Sequence, residues 1–206
     1  MRTKSPFLII ENFYSPLECE NIVSLVDTST PNMENRKKVK SVYTHGLTTS
    51  RVWNRFSEYI TDIEDYFNIE IDSASAVDVE IYPANSILED FHCDNSIYKD
   101  GKWKLFNKKD FTCILFLKDH STDEQFDPLF ECYGGQLEIK NHQFSFNPQR
   151  GSMVIFPSNQ YFIYRTLAPK FGDFLQAKFF ITCPERFVYD KNQYAGNYKV
   201  WFDSLT

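Results

Sequence analysis

The chain has 206 residues and a formal net charge of −6, a length that can bury a substantial core and a charge that excludes an electrostatic nucleic-acid footprint. Its 42% hydrophobic and 24% charged content are those of an ordinary soluble protein, and no apolar run is long enough to span a membrane. The aromatic share, 17% with 20 Phe and 12 Tyr, is high and favours β structure, because flat rings pack well on pleated surfaces.

In chain order, Phe7-Leu8-Ile9-Ile10 is a short apolar run that predicts a first strand. Ser15-Pro16-Leu17-Glu18 then predicts a helix start: Ser15 caps, Pro16 suits the first helical position and Glu18 completes a capping box. Leu17, Ile22, Leu25 and Val26 put apolar groups on one side of a helix running to about Asp27. Residues 28–48 are polar and read mostly as loop or irregular strand, with Arg36-Lys37-Lys38 as a solvated basic run. From Thr49 or Ser50, the spacing of Val52, Trp53, Phe56, Tyr59, Ile60, Ile63, Tyr66 and Phe67 predicts an amphipathic helix packed by its aromatic face. Beyond Ser73 the texture changes. Short runs at Val77–Tyr82, Phe111–Leu117, Gly135–Ile139, Met153–Phe156 and Phe174–Ile181, separated by Gly, Pro, Asn and Asp, predict an all-β sandwich or barrel. The expected organisation is one domain over 1–206, mainly β with N-terminal helices (α+β). It divides into a two-helix buttress at about 15–67, a β core at about 73–183 and a C-terminal extension at 184–206.

The five cysteines, at 19, 93, 113, 132 and 183, show no CxxC pair and no metal-finger spacing. An odd count behind a start too short for a signal sequence predicts free thiols in a reducing cytoplasm.

The chemistry-bearing segment runs from Glu80 through Tyr82, Pro83 and Asn85 to Phe91-His92-Cys93-Asp94. On a strand, residues two apart share a face, so His92 and Asp94 are expected to project together while Cys93 faces away. An imidazole and a carboxylate side by side are two-thirds of the facial triad that non-haem iron oxygenases use, which leaves metal positions open for co-substrate and oxygen. An isolated His-x-Asp is more often a surface hydrogen-bonded pair, so the weight falls on its surroundings.

Those surroundings resemble the prolyl-4-hydroxylase-like branch of the Fe(II)/2-oxoglutarate oxygenase superfamily over about residues 7–182. Ile9 to Cys19 looks like the entry strand and capped helix, and Tyr82 precedes His92 at the family's spacing. Asp110 to Asp119 looks like the strand after the metal motif, and Gly134-Gly135-Gln136-Leu137-Glu138 like the Gly-Gly-x-Leu turn. Pro148 to Ser158 resembles the Pro-x-x-Gly turn and the strand that leads to the third ligand. Gly134, Gly135 and Gly151 are also what any sandwich needs at its corners. The resemblance implies a double-stranded β-helix (jelly-roll) core buttressed by two helices. It implies Fe(II) and 2-oxoglutarate as cofactors and hydroxylation of an unidentified small molecule or protein side chain.

Where the second histidine is expected, the sequence reads Asn159-Gln160-Tyr161-Phe162-Ile163-Tyr164-Arg165. Aligned without a gap, the third metal position falls on Tyr161 or Phe162. A phenol with its pKa near ~10 is a poor ligand for Fe(II), and Phe162 cannot ligate. His45, His120 and His142 read as surface residues. For the co-substrate carboxylate, the resemblance implies a cation on the last core strand, where Lys178 is the only one; Leu175, Ala177, Phe179 and Ile181 form the alternate apolar face, so Lys178 also reads as solvent-facing. Tyr82 and Arg165 are further candidates. Two functions follow: an oxygenase with an atypical metal site (His92, Asp94 and Tyr161 or water), or a degenerate oxygenase fold that acts as a binding module. The unaltered His92-x-Asp94 motif within the whole scaffold puts the first ahead. The missing histidine and the aromatic run at 161–164 favour the second, and the polar, Lys-rich stretch 97–110 around Trp103 would serve as its partner loop or as a substrate lid. A site for another divalent metal is a third, weaker reading.

Overall fold

Alternation along two strands, Asp78-Val-Glu-Ile-Tyr82 and Phe174-Leu-Gln-Ala-Lys-Phe-Phe-Ile-Thr182, sorts their side chains into two faces of different chemistry. The structure, a computed structural model, describes residues 4–25, 40–43, 46–87, 89–123, 125–190 and 193. The basic run Arg36–Lys38 and His45 lie outside the described residues. In chain order the elements are β1 (Leu8–Ile10), α1 (Pro16–Leu25), β2 (Lys40–Tyr43), α2 (Gly46–Ser57), α3 (Ile60–Phe67), β3 (Ser73–Ala74) and β4 (Asp78–Tyr82). Then come β5 (Ser96–Lys99), β6 (Lys102–Leu105), β7 (Phe111–Phe116), β8 (Asp119–Ser121), β9 (Glu131–Tyr133) and β10 (Leu137–Ile139). The last are β11 (Phe144–Phe146), β12 (Met153–Pro157), β13 (Tyr164–Thr166) and β14 (Phe174–Thr182).

A large sheet in the order β1-β12-β7-β14-β4-β2, with β3 on the end of β14, faces a small sheet in the order β11-β10-β13. The two meet through ring pairs: Phe116 stacks on Phe146 at 5.1 Å and Phe156 meets Tyr164 edge-on at 5.1 Å. This is the expected jelly-roll core. Its outer face is apolar. Phe179 of β14 meets Phe56 of α2 at 5.2 Å, and Phe111 of β7 meets Phe67 of α3 at 4.6 Å. Most buried apolar residues of the strands and helices form one cluster.

The capping box forms as read: Glu18 accepts from the Ser15 amide and hydroxyl, both at 2.8 Å, and the Glu18 amide donates to Ser15 Oγ. Leu17, expected on the buried stripe, is 66% exposed. Five residues along an α-helix turn by about 140°, so Leu17 and buried Ile22 do not share a face. The expected single second helix is two, making three α-helices among the described residues. It begins earlier, at Gly46, and breaks at Glu58–Tyr59, where the Glu58 and Tyr59 amides bond three residues back to Arg55 and Phe56. Val52, Phe56, Ile63 and Phe67 are buried on both sides of the break, so the aromatic face survives. Gly151 takes φ +84° where the chain turns into β12, and a Cβ there would collide with the Tyr14 carbonyl oxygen. No helix among the described residues is long and apolar enough to cross a membrane.

Candidate functional site

The His92–Asp94 segment is not a strand. His92 forms a single antiparallel bridge to Tyr164, with His92 N donating to Tyr164 O (3.0 Å) and Tyr164 N to His92 O (2.8 Å). Residues paired this way project side chains to the same face, and the two rings lie 4.6 Å apart. Asp94 follows in a bend, buried, its Oδ2 accepting from the Tyr164 hydroxyl and from Thr112 Oγ1, each at 2.8 Å. Thr112 gives its proton to Asp94, so the 2.7 Å contact with Ser158 is a bond donated by Ser158.

The side chain facing the His92–Asp94 pair is therefore Tyr164, three residues beyond the expected Tyr161. The Tyr161 ring packs against Tyr189 at 5.5 Å, and its carbonyl takes a hydrogen bond from Asn141 Nδ2. Phe162 is buried between Phe7 and Tyr189. Burial first, and then Asp94, push the Tyr164 phenol well above its ordinary pKa, so it stays a proton donor to the carboxylate.

A second cluster shares the interior. Glu80 and Tyr82 of β4 and Gln176 and Lys178 of β14 lie on the inward face. Lys178 Nζ sits 2.5 Å from Glu80 Oε1, while Gln176 Nε2 (2.7 Å) and the Tyr82 hydroxyl (3.1 Å) donate to Glu80 Oε2. Lys178 is thus turned inward and not to solvent. Burial alone would depress its ammonium, but Glu80, Asp94 and Glu89 outweigh that and raise its pKa. Glu89, which accepts from Tyr82 at 3.3 Å, is raised by burial and by Glu80, and burial with Glu80 lifts Tyr82 well above its usual range.

Arg165 sits on the opposite face of β13. Its guanidinium makes two 2.8 Å contacts with Glu138 and lies 4.2 Å over the Phe91 ring, outside the interior cluster. His142, expected at the surface, is wedged between Phe7 and Phe162 with ring centroids at 5.1 and 4.5 Å. Burial, only partly offset by a hydrogen bond with the Tyr161 backbone, lowers it to about 4. His120 is half-buried, with Nδ1 2.9 Å from the Gly134 carbonyl.

The donor set bears on iron as follows. His92 Nδ1 is 3.0 Å from the Asp90 carbonyl, an acceptor only, so Nδ1 is a donor, which leaves Nε2 as the ring nitrogen that a metal would use. Asp94 Oδ1 takes no hydrogen bond from the described residues. Opposite them stands a protonated phenol, and among the described residues no three His, Cys, Asp or Glu side chains are arranged to hold a metal ion. The donors expected to receive a 2-oxoglutarate carboxylate, Lys178 and Tyr82, both hold Glu80. Two concavities, about 310 Å³ between α1 and α2 and about 900 Å³ beside α3, do not include His92 or Asp94 in their walls. One imidazole and one half-engaged carboxylate, with the cationic anchor Lys178 already paired to Glu80, do not fit an iron–2-oxoglutarate chelate.

Glu80, Gln176, Thr112, Ser158 and Tyr164 were not singled out by sequence. The available signal was alternation: Asp78, Glu80 and Tyr82 share a face, as do Gln176 and Lys178, but a polar face opposite an apolar one reads as solvent-facing.

This interior, enclosed by two facing sheets with helices on the outside, is the architecture of the prolyl-hydroxylase-like oxygenase fold. No protein-family model matches the sequence, and no curated protein matches it. Solved structures match the fold. A viral collagen prolyl hydroxylase from Paramecium bursaria chlorella virus-1, in a 2OG complex, superposes with TM-score 0.65 at 15% identity, over 87% of this chain and 97% of that one. A prolyl-4-hydroxylase from Pseudomonas putida gives 0.56 at 12% identity, over 88% and 94%. A Trichoplax adhaerens prolyl hydroxylase, solved with a hypoxia inducible factor oxygen degradation domain peptide, gives 0.58 at 14%, over 87% and 84%.

Proposed function

We propose that the chain is a one-domain protein of oxygenase fold that works by binding and does not catalyse 2-oxoglutarate-dependent hydroxylation. The observation that carries this reading is the Tyr164 hydroxyl donating to Asp94 beside the His92 ring. It supplies a proton beside the two side chains that would ligate a metal, where a third ligand needs a lone pair. The surface assigned to a partner is the hairpin of β5 and β6. It follows Asp94 directly and exposes Ile97, Tyr98, Leu105 and Phe106 among Lys99, Lys102 and Lys104. In a chain of net charge −6, that mixture suits an acidic segment with apolar side chains.

A second reading, an oxygenase with a two-ligand iron site, draws on the His92 tautomer and on Asp94 Oδ1. Anaerobic calorimetry separates the two. The binding-module reading predicts no heat for Fe(II) or 2-oxoglutarate at micromolar protein. Iron-dependent 2-oxoglutarate binding that is lost in His92→Ala would establish the enzyme.

A further inference from the structure

The helices α1 and α2 line the groove between them with polar side chains. Glu18 and Asn21 on α1, and Arg51, Asn54, Arg55 and Glu58 on α2, recur at three- and four-residue spacing, so each helix turns one polar stripe toward a cavity of about 310 Å³. That volume is at the lower end of the range for small-molecule sites, roughly 300–1,000 Å³. The groove lies apart from His92 and Asp94, because α2 packs by Phe56 against Phe179 on the outward face of β14. In its wall stands Tyr14, 3% exposed, whose buried hydroxyl has no hydrogen-bond partner among the described residues. A buried donor left unpaired is costly, so this hydroxyl marks a position that calls for an acceptor.

Most acceptors of the groove are engaged and its donors are not. Glu18 Oε2 takes the Ser15 amide and hydroxyl, Glu18 Oε1 takes Arg55 at 2.8 Å, and Glu58 Oε2 takes Arg55 at 3.0 Å. Arg51, exposed on α2, makes no hydrogen bond or ion pair among the described residues. Burial first, then Glu18, push the Tyr14 phenol up to about 12 against the opposing pull of Arg55 and Arg51, so it remains a donor. Spare N–H and O–H groups on a guanidinium and a phenol suit an oxyanion, which the planar Arg fork can hold by two bonds. Arg55 with its two carboxylates carries one net negative charge, which disfavours a dianion beside it. The carboxamides of Asn21 and Asn54 and the second Glu58 oxygen can accept from hydroxyl groups.

We infer that the groove between α1 and α2 binds a small hydroxycarboxylic acid, with its carboxylate on Arg51 and the Tyr14 hydroxyl and its own hydroxyl groups on Asn21, Asn54 and Glu58. The site shares no side chain with the jelly-roll interior, so it stands whether or not that interior binds iron.

The test is a titration of the full chain with sodium gluconate at pH 7, against sodium chloride of equal ionic strength. It is followed by heteronuclear NMR at the side-chain amides of Asn21 and Asn54. Millimolar gluconate shifts these signals and the shift saturates. Arg51→Ala weakens the affinity at least tenfold, and Tyr14→Phe, which removes only the hydroxyl, at least threefold. Both variants keep the backbone amide spectrum of the folded chain, since Arg51 is exposed and the Tyr14 hydroxyl is unbonded among the described residues. The absence of a saturable shift at Asn21 and Asn54, or an equal shift in chloride, overturns the inference, and so does full affinity in Arg51→Ala. Phosphate that binds more tightly than gluconate overturns the assignment to a monocarboxylate.

Discussion

The two faces of β4 and β14 make different use of one pair of strands. Outward, Leu175, Ala177, Phe179 and Ile181 are all buried against apolar neighbours, and Phe179 receives the edge of Phe56. Inward, Glu80, Tyr82 and Gln176 are buried and Lys178 is 13% exposed, but these four are polar and mutually bonded. The outer face stabilises by area removed from water, which tolerates conservative exchange. The inner face holds buried charge, whose desolvation must be offset by specific partners. The lesson is that burial alone does not distinguish a core from a site; the chemistry of the face does.

The largest expected effects set the faces against each other. Phe179→Ala removes a buried ring and costs about 3–5 kcal/mol in urea unfolding. Lys178→Met leaves Glu80 buried without its cation and costs a similar amount, about 3–5 kcal/mol. The faces part company in the double variant. Glu80→Leu combined with Lys178→Met recovers most of that loss, since an apolar pair replaces an ion pair, whereas no partner change inward restores Phe179→Ala. Failure of the double variant to recover would remove the distinction.

A smaller effect comes from His142. Its folded pKa is about 4, against 6.5 for an ordinary histidine, so between these values the unfolded chain binds more protons. Stability is full above about pH 6.5 and falls as the pH drops toward 4, by at most about 3 kcal/mol at about 1.4 kcal/mol per unit. His142→Phe should keep the ring contacts and flatten this limb of the stability–pH curve; an unchanged limb would assign it to other groups.

The smallest is at the α1 cap. The Ser15 amide first, then Arg55, hold Glu18 at about 2. Its stabilisation is full above the ordinary carboxylate pKa and is lost as pH falls toward 2. The side chain is 38% exposed, so solvent screens the effect. Glu18→Gln is expected to cost about 0.5–1 kcal/mol at pH 7, and the difference from the wild type should close in acid.

The elements were legible where one period and one cap decide them. The Ser15–Glu18 box, the 52–67 aromatic stripe and the core strands β4, β7, β10, β12 and β14 follow from local pattern, whereas β11 and β13, three residues each, were too short to read. The helix break at Glu58–Tyr59 was not legible, because the apolar spacing continues through it. His92 and Asp94 could be singled out as a pair, but their partner could not be placed. Only the cross-strand bridge of His92 to Tyr164 decides which of four successive residues, Tyr161 to Tyr164, turns inward. Glu80 was hidden for a related reason: its three donors come from its own strand and from β14, almost a hundred residues away, and a polar residue on an alternating strand reads as exposed.

We propose that the Tyr164 hydroxyl on Asp94 closes the third position of a metal site that His92 and Asp94 otherwise offer. The most direct test is a Mn(II) titration followed by electron paramagnetic resonance on the wild type, on Tyr164→His and on Tyr164→His with His92→Ala. The wild type is expected to leave the free Mn(II) signal unchanged. Tyr164→His should remove one equivalent, and His92→Ala should return it. One equivalent bound by the wild type, and released by His92→Ala, would contradict it.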